Sequence, residues 1–232
     1  LVRRLLTIPS ILFAAVALQL IGAHSVLAHD VAQSDRAFVA ATQGQAIMPF
    51  LYLGAKHMVT GYDHILFLVG VVMFLFRLRD VVLYVSLFTL GHSLTLMLGV
   101  IFHIGANSHV VDAIIGLSII YKGAENLGLL RTLGWRVDTR LAVLAFGLCH
   151  GLGLATKLLS LSISPDGLLV KLLSFNVGVE IGQIIVLFFV VCLLNLVRNR
   201  SGFAAKAAVA NWLLIVSGAA IMFHQTSEYL AS

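Results

Sequence analysis

The sequence predicts an all-α, polytopic membrane helix bundle, with about six transmembrane helices behind an amino-terminal signal peptide. Three observations predict it: the composition, a series of apolar runs of bilayer length, and the placement of basic residues between those runs. Apolar residues make up 60% of the 232 and charged residues only 11%, where a soluble domain carries about 25% charged residues. The mean hydropathy is +1.03. Such a chain lacks the polar surface to cover a water-soluble globule.

The elements are justified in chain order. Residues 1–28 read as a cleaved signal peptide. Arg3 and Arg4 precede an apolar run from Ile11 to Ile21, and Val26-Leu27-Ala28 stands before polar His29-Asp30; this is the charged, apolar and small-residue order of a secretory signal. Cleavage after Ala28 leaves 29–48 as an extracytoplasmic amino-terminal segment and 49–232 as the six-helix transmembrane domain. His29 then becomes the new amino terminus, and its amine and imidazole make it a secondary metal candidate.

Six apolar runs follow, at roughly 49–76, 81–102, 109–128, 141–162, 168–196 and 207–225. Each meets the requirement of about 20 mostly apolar residues for a crossing helix. A helix satisfies its backbone groups internally, as hydrocarbon demands. The runs lack the period-two alternation of barrel strands. Arg77 and Arg79 follow the first run, Arg131, Arg136 and Arg140 the third, and Arg198, Arg200 and Lys206 the fifth, whereas loop 102–109 has no Lys or Arg. The positive-inside rule then makes the arginine-bearing loops cytoplasmic. It places the mature amino terminus and the carboxyl terminus outside a bacterial inner membrane. The net charge of +5 is scattered in short clusters. No basic stripe is interleaved with aromatics, so nucleic acid is not an expected partner. Cys149 and Cys192 lie in apolar runs and read as small buried side chains, with no disulfide framework. Gly147, Gly151, Gly153, Gly178 and Gly182 mark close helix packing.

Polar groups inside the runs carry the functional signal. A central Asp costs about 2.5 to 3.5 kcal/mol on insertion, so such groups face the bundle interior and mark a pathway. The first run holds His57, Gly61, Asp63 and His64. His57 and His64 are about 20° apart on an ideal helix, while Asp63 is about 120° from His57. Asp63 joins the histidines if the helix is distorted near Gly61, or it hydrogen-bonds one of them from behind. The second run holds Thr89 and His92, the fourth His150 among glycines, and the fifth Glu180 with Asn176 one turn away and Gln183 beyond. Primary metal ligands are therefore expected at His57, Asp63, His64, His92, His150 and Glu180. His103, Asp112, Glu125, Asn176 and His224 join His29 as secondary candidates; Glu125 also stands three residues from Lys122, where an ion pair is the plainer reading.

Imidazole with carboxylate suits a divalent transition metal, Ni²⁺, Co²⁺, Zn²⁺ or Fe²⁺, with Cu²⁺ also open at a histidine site, over Mg²⁺ or Ca²⁺ with their all-oxygen shells. The chain has no Walker, G-x-S-x-G or H-E-x-x-H motif. The expectation is a gradient- or potential-driven permease, not an enzyme. The rival readings are a fixed metal in an integral-membrane metalloenzyme or accessory subunit, and a structural subunit whose polar residues only join helices.

The stretch Gly61-Tyr62-Asp63-His64-Ile65-Leu66-Phe67-Leu68, with His57 before it, resembles the HupE/UreJ family of hydrogenase and urease accessory membrane proteins. So do Phe88 to Leu96, Glu125-Asn126, Phe146 to Gly153 and Phe175 to Gln183. The resemblance spans roughly 47–225. It implies a nickel or cobalt permease serving metalloenzyme assembly, with the family's H-x5-D-H motif at His57, Asp63 and His64, its fourth-span histidine at His150, and metalloenzyme assembly proteins as partners.

Overall fold

The computed structural model describes residues 46–135, 137–160 and 165–231. The expected signal peptide, residues 29–45 of the amino-terminal segment and His29 lie outside the described residues. The described chain is all helical: α1 (Ile47–Thr60), α2 (Tyr62–Val72), α3 (Leu78–Ile101), α4 (Ser108–Asn126), the single turn α5 (Leu129–Thr132), α6 (Thr139–Leu159), α7 (Leu168–Arg198) and α8 (Phe203–Ala231). Four of them, α3, α6, α7 and α8, are long and apolar enough to cross a membrane. α4 matches the third apolar run, but its 19 residues include Asp112, Lys122 and Glu125.

The first run, expected as one helix over 49–76, is two helices. Gly61 interrupts it at φ −74° and ψ 91°, a ψ far outside the helical range. Its N–H still closes the last turn of α1 on His57 O at 2.9 Å, and its carbonyl starts α2 by accepting from Ile65 N–H at 3.1 Å. The chain thus changes direction between His57 and His64 without leaving either backbone group open.

Three helix pairs make the body of the bundle: α1 with α7, α3 with α6, and α4 with α8. Glycines let the backbones of each pair approach closely. A Cβ on Gly178 would run into the Leu51 carbonyl, and one on Gly182 into that of Ala55. In the second pair Gly147 abuts the Phe88 carbonyl and Gly151 that of His92; in the third, Gly116 abuts Gly218 and Gly123 abuts Asn211. Contact numbers rise together in the first two pairs and oppositely in the third. α1 therefore runs parallel to α7, α3 parallel to α6, and α4 antiparallel to α8.

The short α2 stands among these pairs and touches α1, α3, α4, α7 and α8. Phe67, Leu68, Gly70, Val71 and Val72 are all buried. An 11-residue helix ending in an apolar interior exposes carbonyls that need partners. Asn126 Nδ2 donates to Gly70 O at 2.8 Å. Arg198 Nη2 donates to Val72 O at 2.5 Å and Met73 O at 3.1 Å. Asn211, fully buried on α8, accepts from Asn126 at 2.9 Å and donates to Ala207 O at 2.7 Å. Arg198, read from the sequence as a loop charge, is an anchor for α2.

One sequence reading is corrected by burial. Both cysteines are free, but Cys149 is half-buried and Cys192 is exposed, because its position on α7 points away from the neighbouring helices. Lys157 in the last turn of α6 and Lys171 in the first turn of α7 turn toward the bundle: Lys171 is fully buried over the Phe50 ring, and the partly buried Lys157 pairs with Asp112.

Candidate metal centre

The break at Gly61 builds the centre. α1 delivers His57 in its last turn, and α2 delivers Asp63 and His64 in its first. α3 adds His92 and α6 adds His150, held one against the other by the Gly151–His92 approach and by Thr95 Oγ1 donating to Leu148 O at 2.7 Å. His64 is the hub. Its ring centroid lies 5.0 Å from that of His57, 5.8 Å from that of His92 and 5.0 Å from that of His150. His64, His92 and His150 are only 1–2% exposed.

The ring nitrogens are set for coordination. His64 Nδ1 lies 3.1 Å from Asp63 Oδ1. His150 Nδ1 lies 2.7 Å from Phe146 O. A carboxylate and a carbonyl only accept, so both Nδ1 atoms carry the hydrogen and both Nε2 atoms carry the lone pair. This is the orientation a carboxylate or carbonyl imposes on a metal-binding histidine. His64 Nε2 and both nitrogens of His92 are buried without a hydrogen-bond partner. Each such atom costs about 1–3 kcal/mol, and a cation relieves that cost at His64 Nε2 and at the lone-pair nitrogen of His92, whose other nitrogen carries the hydrogen. Ligand atoms of His57, His64 and His92 lie within 4.8 Å of one another, and so do those of Asp63, His64 and His150. Tetrahedral metal–nitrogen bonds of about 2.0–2.1 Å put ligand atoms about 3.3 Å apart, so modest side-chain closure completes either triad. Phe67, Phe88 and Phe175 wall the cluster: Phe88 lies 5.1 Å from His150, Phe67 5.7 Å from His150, and Phe175 6.1 Å from His57, between ring centroids. These aromatics make the wall of the cluster apolar, and no periodicity in the sequence had marked them.

Five of the six primary candidates are thus brought together. Glu180 is not: it is exposed on α7 and belongs to neither triad. Its neighbours on α7 are buried. Gln183 accepts from the Thr89 hydroxyl at 2.7 Å, leaving Nε2 without a partner, and Asn176 donates to Leu172 O at 3.0 Å, leaving Oδ1 without one. Asp112 is held by Lys157 at 2.9 Å. Glu125 takes Lys122 at 2.7 Å and also accepts from the Thr139 hydroxyl. His103 is exposed in the loop after α3, with φ 54°. His224 is half-buried on α8, 3.9 Å from Glu228. These four secondary candidates stand outside both triads.

No curated protein and no solved structure significantly matches the chain. A family model described as HupE / UreJ protein matches residues 33–231, which takes in every helix of the bundle and all five residues of the cluster. The chain belongs to the HupE/UreJ family.

Proposed function

We propose that the protein is a permease for a divalent transition-metal ion, Ni²⁺ foremost and Co²⁺ next, in a bacterial inner membrane. One observation carries this reading. Four histidines and an aspartate from four helices meet at a hub on His64 in an apolar-walled pocket, where the buried His64 Nε2 and both nitrogens of His92 lack hydrogen-bond partners. The same donors also suit Zn²⁺, Fe²⁺ and Cu²⁺, so the preference for nickel and cobalt rests on the family resemblance. The ion is cargo for metalloenzyme assembly proteins on the inner side.

The pair directions support six alternating crossings, since the first and fifth, and the second and fourth, then run parallel, and the third and sixth run antiparallel. Taken with the positive-inside rule, that topology supports arginine-bearing connections inside and the mature amino and carboxyl termini outside. On α7, Gly182 lies against Ala55 and Gly178 against Leu51. Gln183 therefore stands near the level of His57, and Glu180 and Asn176 lie progressively toward the amino-terminal end of α1. This polar line supports an approach for the ion from the outside.

Metal uptake in cells tests the proposal, with expression matched. His64→Ala is expected to abolish uptake, while His103→Ala and His224→Ala keep it. Normal uptake by His64→Ala would refute the reading. The near-complete burial of His64, His92 and His150 favours a second reading, a fixed metal in an accessory subunit or metalloenzyme. Exchange separates the two: a permease site releases Co²⁺ to a chelator within a transport cycle, and a fixed centre keeps it through purification.

A further inference from the structure

A cavity of about 460 Å³ opens where α4 ends and α6 begins, outside both histidine triads. Tyr121, Glu125, Arg131, Trp135 and Thr139 line it, together with apolar Leu130 and Val137. Its side chains divide into spent acceptors and unspent donors. Glu125 is the one carboxylate in the lining, and both of its oxygens are taken: Oε2 by the Lys122 ammonium at 2.7 Å, and Oε1 by the Thr139 hydroxyl. Asp138, next to Thr139 in the chain, is outside the lining and accepts from Arg140 N–H at 2.8 Å. The donors in the lining have no acceptor. The Tyr121 hydroxyl is buried without a hydrogen-bond partner. Among the described residues, the Arg131 guanidinium has no ion pair or hydrogen bond, and the Trp135 indole N–H, a group that only donates, has no acceptor. With Glu125 neutralised by Lys122, Arg131 leaves the lining with one unopposed positive charge.

We infer that this cavity holds the singly charged phosphodiester of an anionic phospholipid, with Arg131 as its charged anchor and Tyr121 and Trp135 as neutral donors. The inference goes beyond the metal reading and does not rest on it. The anionic oxygens of a phosphodiester only accept, so they answer all three donor groups, and a planar guanidinium meets two of them at once. A buried hydroxyl such as that of Tyr121 is costly until it finds an acceptor. The volume falls within the range of about 300–1,000 Å³ common to small-molecule sites. Placement selects a lipid over a soluble phosphate. The connection from α4 to α6 carries Arg131, Arg136 and Arg140. Among them Leu133, Trp135 and Val137 are 69%, 61% and 51% exposed. Exposed aromatic and apolar side chains interspersed with arginines suit the head-group layer, where tryptophan sits at the boundary and arginine meets anionic lipid. The positive-inside rule makes this the cytoplasmic side, where basic pockets between membrane helices take phospholipid head groups.

Native mass spectrometry of the full-length protein in detergent tests it, with titration by dioleoyl phosphatidylglycerol, dioleoyl phosphatidylcholine or inorganic phosphate. Wild type is expected to retain one phosphatidylglycerol most tightly. Phosphatidylcholine should bind several-fold more weakly, because its choline brings a second cation beside Arg131. Arg131→Gln is expected to weaken the phosphatidylglycerol adduct about tenfold or more, through loss of a charged hydrogen-bonded pair. Tyr121→Phe should weaken it several-fold, while the lipid-free protein melts no lower than wild type. Arg77→Gln and Arg200→Gln alter exposed arginines in other connections and should bind as wild type does. Wild-type affinity in Arg131→Gln or Tyr121→Phe would overturn the site, and so would equal weakening by all three arginine substitutions, the mark of diffuse charge attraction. Inorganic phosphate that displaces phosphatidylglycerol at equal concentration would assign the cavity to a soluble anion and overturn the lipid. Co²⁺ binding should be unchanged in Arg131→Gln, so the metal reading stands or falls separately.

Discussion

Replacing Gly61 with alanine probes how the break in the first run shapes the metal centre. The backbone at φ −74° is open to any L residue, so the effect is steric and not conformational. An added Cβ would stand 2.9 Å from His57 O, 2.9 Å from His64 Nδ1 and 3.3 Å from Asp63 Oδ1. Carbon contacts settle at about 3.5 Å or more. The carbonyl belongs to the backbone that closes α1, so the His64 ring yields, by about 0.6 Å. Directed away from Asp63, that shift stretches the His64–Asp63 contact from 3.1 Å to about 3.7 Å, beyond hydrogen-bond range. A hydrogen bond to a charged group is worth about 1.5–3 kcal/mol, and partners behind a metal-binding histidine typically govern about 10–100-fold in affinity. Gly61→Ala should therefore bind Co²⁺ about 10–100-fold more weakly. Titration calorimetry on purified protein measures it, and the visible spectrum of bound Co²⁺ reports the changed ligand field. Helix content by circular dichroism should stay unchanged. Affinity within twofold of wild type, with an unaltered spectrum, would refute the claim that the Gly61 break sets the position of His64.

Arg198→Ala leaves the Val72 and Met73 carbonyls without their donor; at about 1–3 kcal/mol per unsatisfied group, thermal melting in detergent should occur several degrees lower and Co²⁺ affinity should fall because α2 carries His64. Gly151→Ala sets a methyl against the His92 carbonyl and Thr95 Oγ1, so α3 and α6 must separate; the folded yield by size-exclusion chromatography should collapse, while Gly105→Ala, whose nearest contact is at 3.8 Å, should express normally. Lys157→Met strands buried Asp112 and should cost about 3–5 kcal/mol; Lys157→Met combined with Asp112→Leu should recover most of it, with Co²⁺ binding unchanged in both, as read by melting curves and titration.

Much of the molecule was legible before any coordinates. The boundaries of α3, α4, α6 and α7 follow the apolar runs within about three residues, because hydrocarbon length and backbone satisfaction leave little freedom, whereas α8 (Phe203–Ala231) extends beyond its run at both ends. The H-x5-D-H spacing gave His57, Asp63 and His64, and the possibility that Asp63 braces a histidine is what His64 Nδ1 displays. His92 and His150 were legible as expensive groups inside apolar runs. Arg198 was not, since a basic residue at a helix end has a ready explanation in membrane orientation. Asn211 and Asn126 offered a fainter signal as amides near or within apolar helices, and only the stop of α2 inside the bundle gives them a task. Glu180 was the opposite case. Its position in a long apolar run suggested a ligand turned inward, but helix α7 turns Asn176 and Gln183 in and leaves Glu180 exposed.

The sequence alone determined the class of the protein, the approximate extent of its helices, and the residue types that make an imidazole–carboxylate cluster. Those follow from the cost of each side chain in a lipid environment, which is a property of one residue and its neighbours in the chain. Only the tertiary structure decided that Gly61 divides the first crossing, that His64 is the hub of two triads, and that Asp112 belongs to Lys157. Those are choices of partner, and partners are set by which helix faces the glycine contacts bring together. No spacing within a single helix records that pairing.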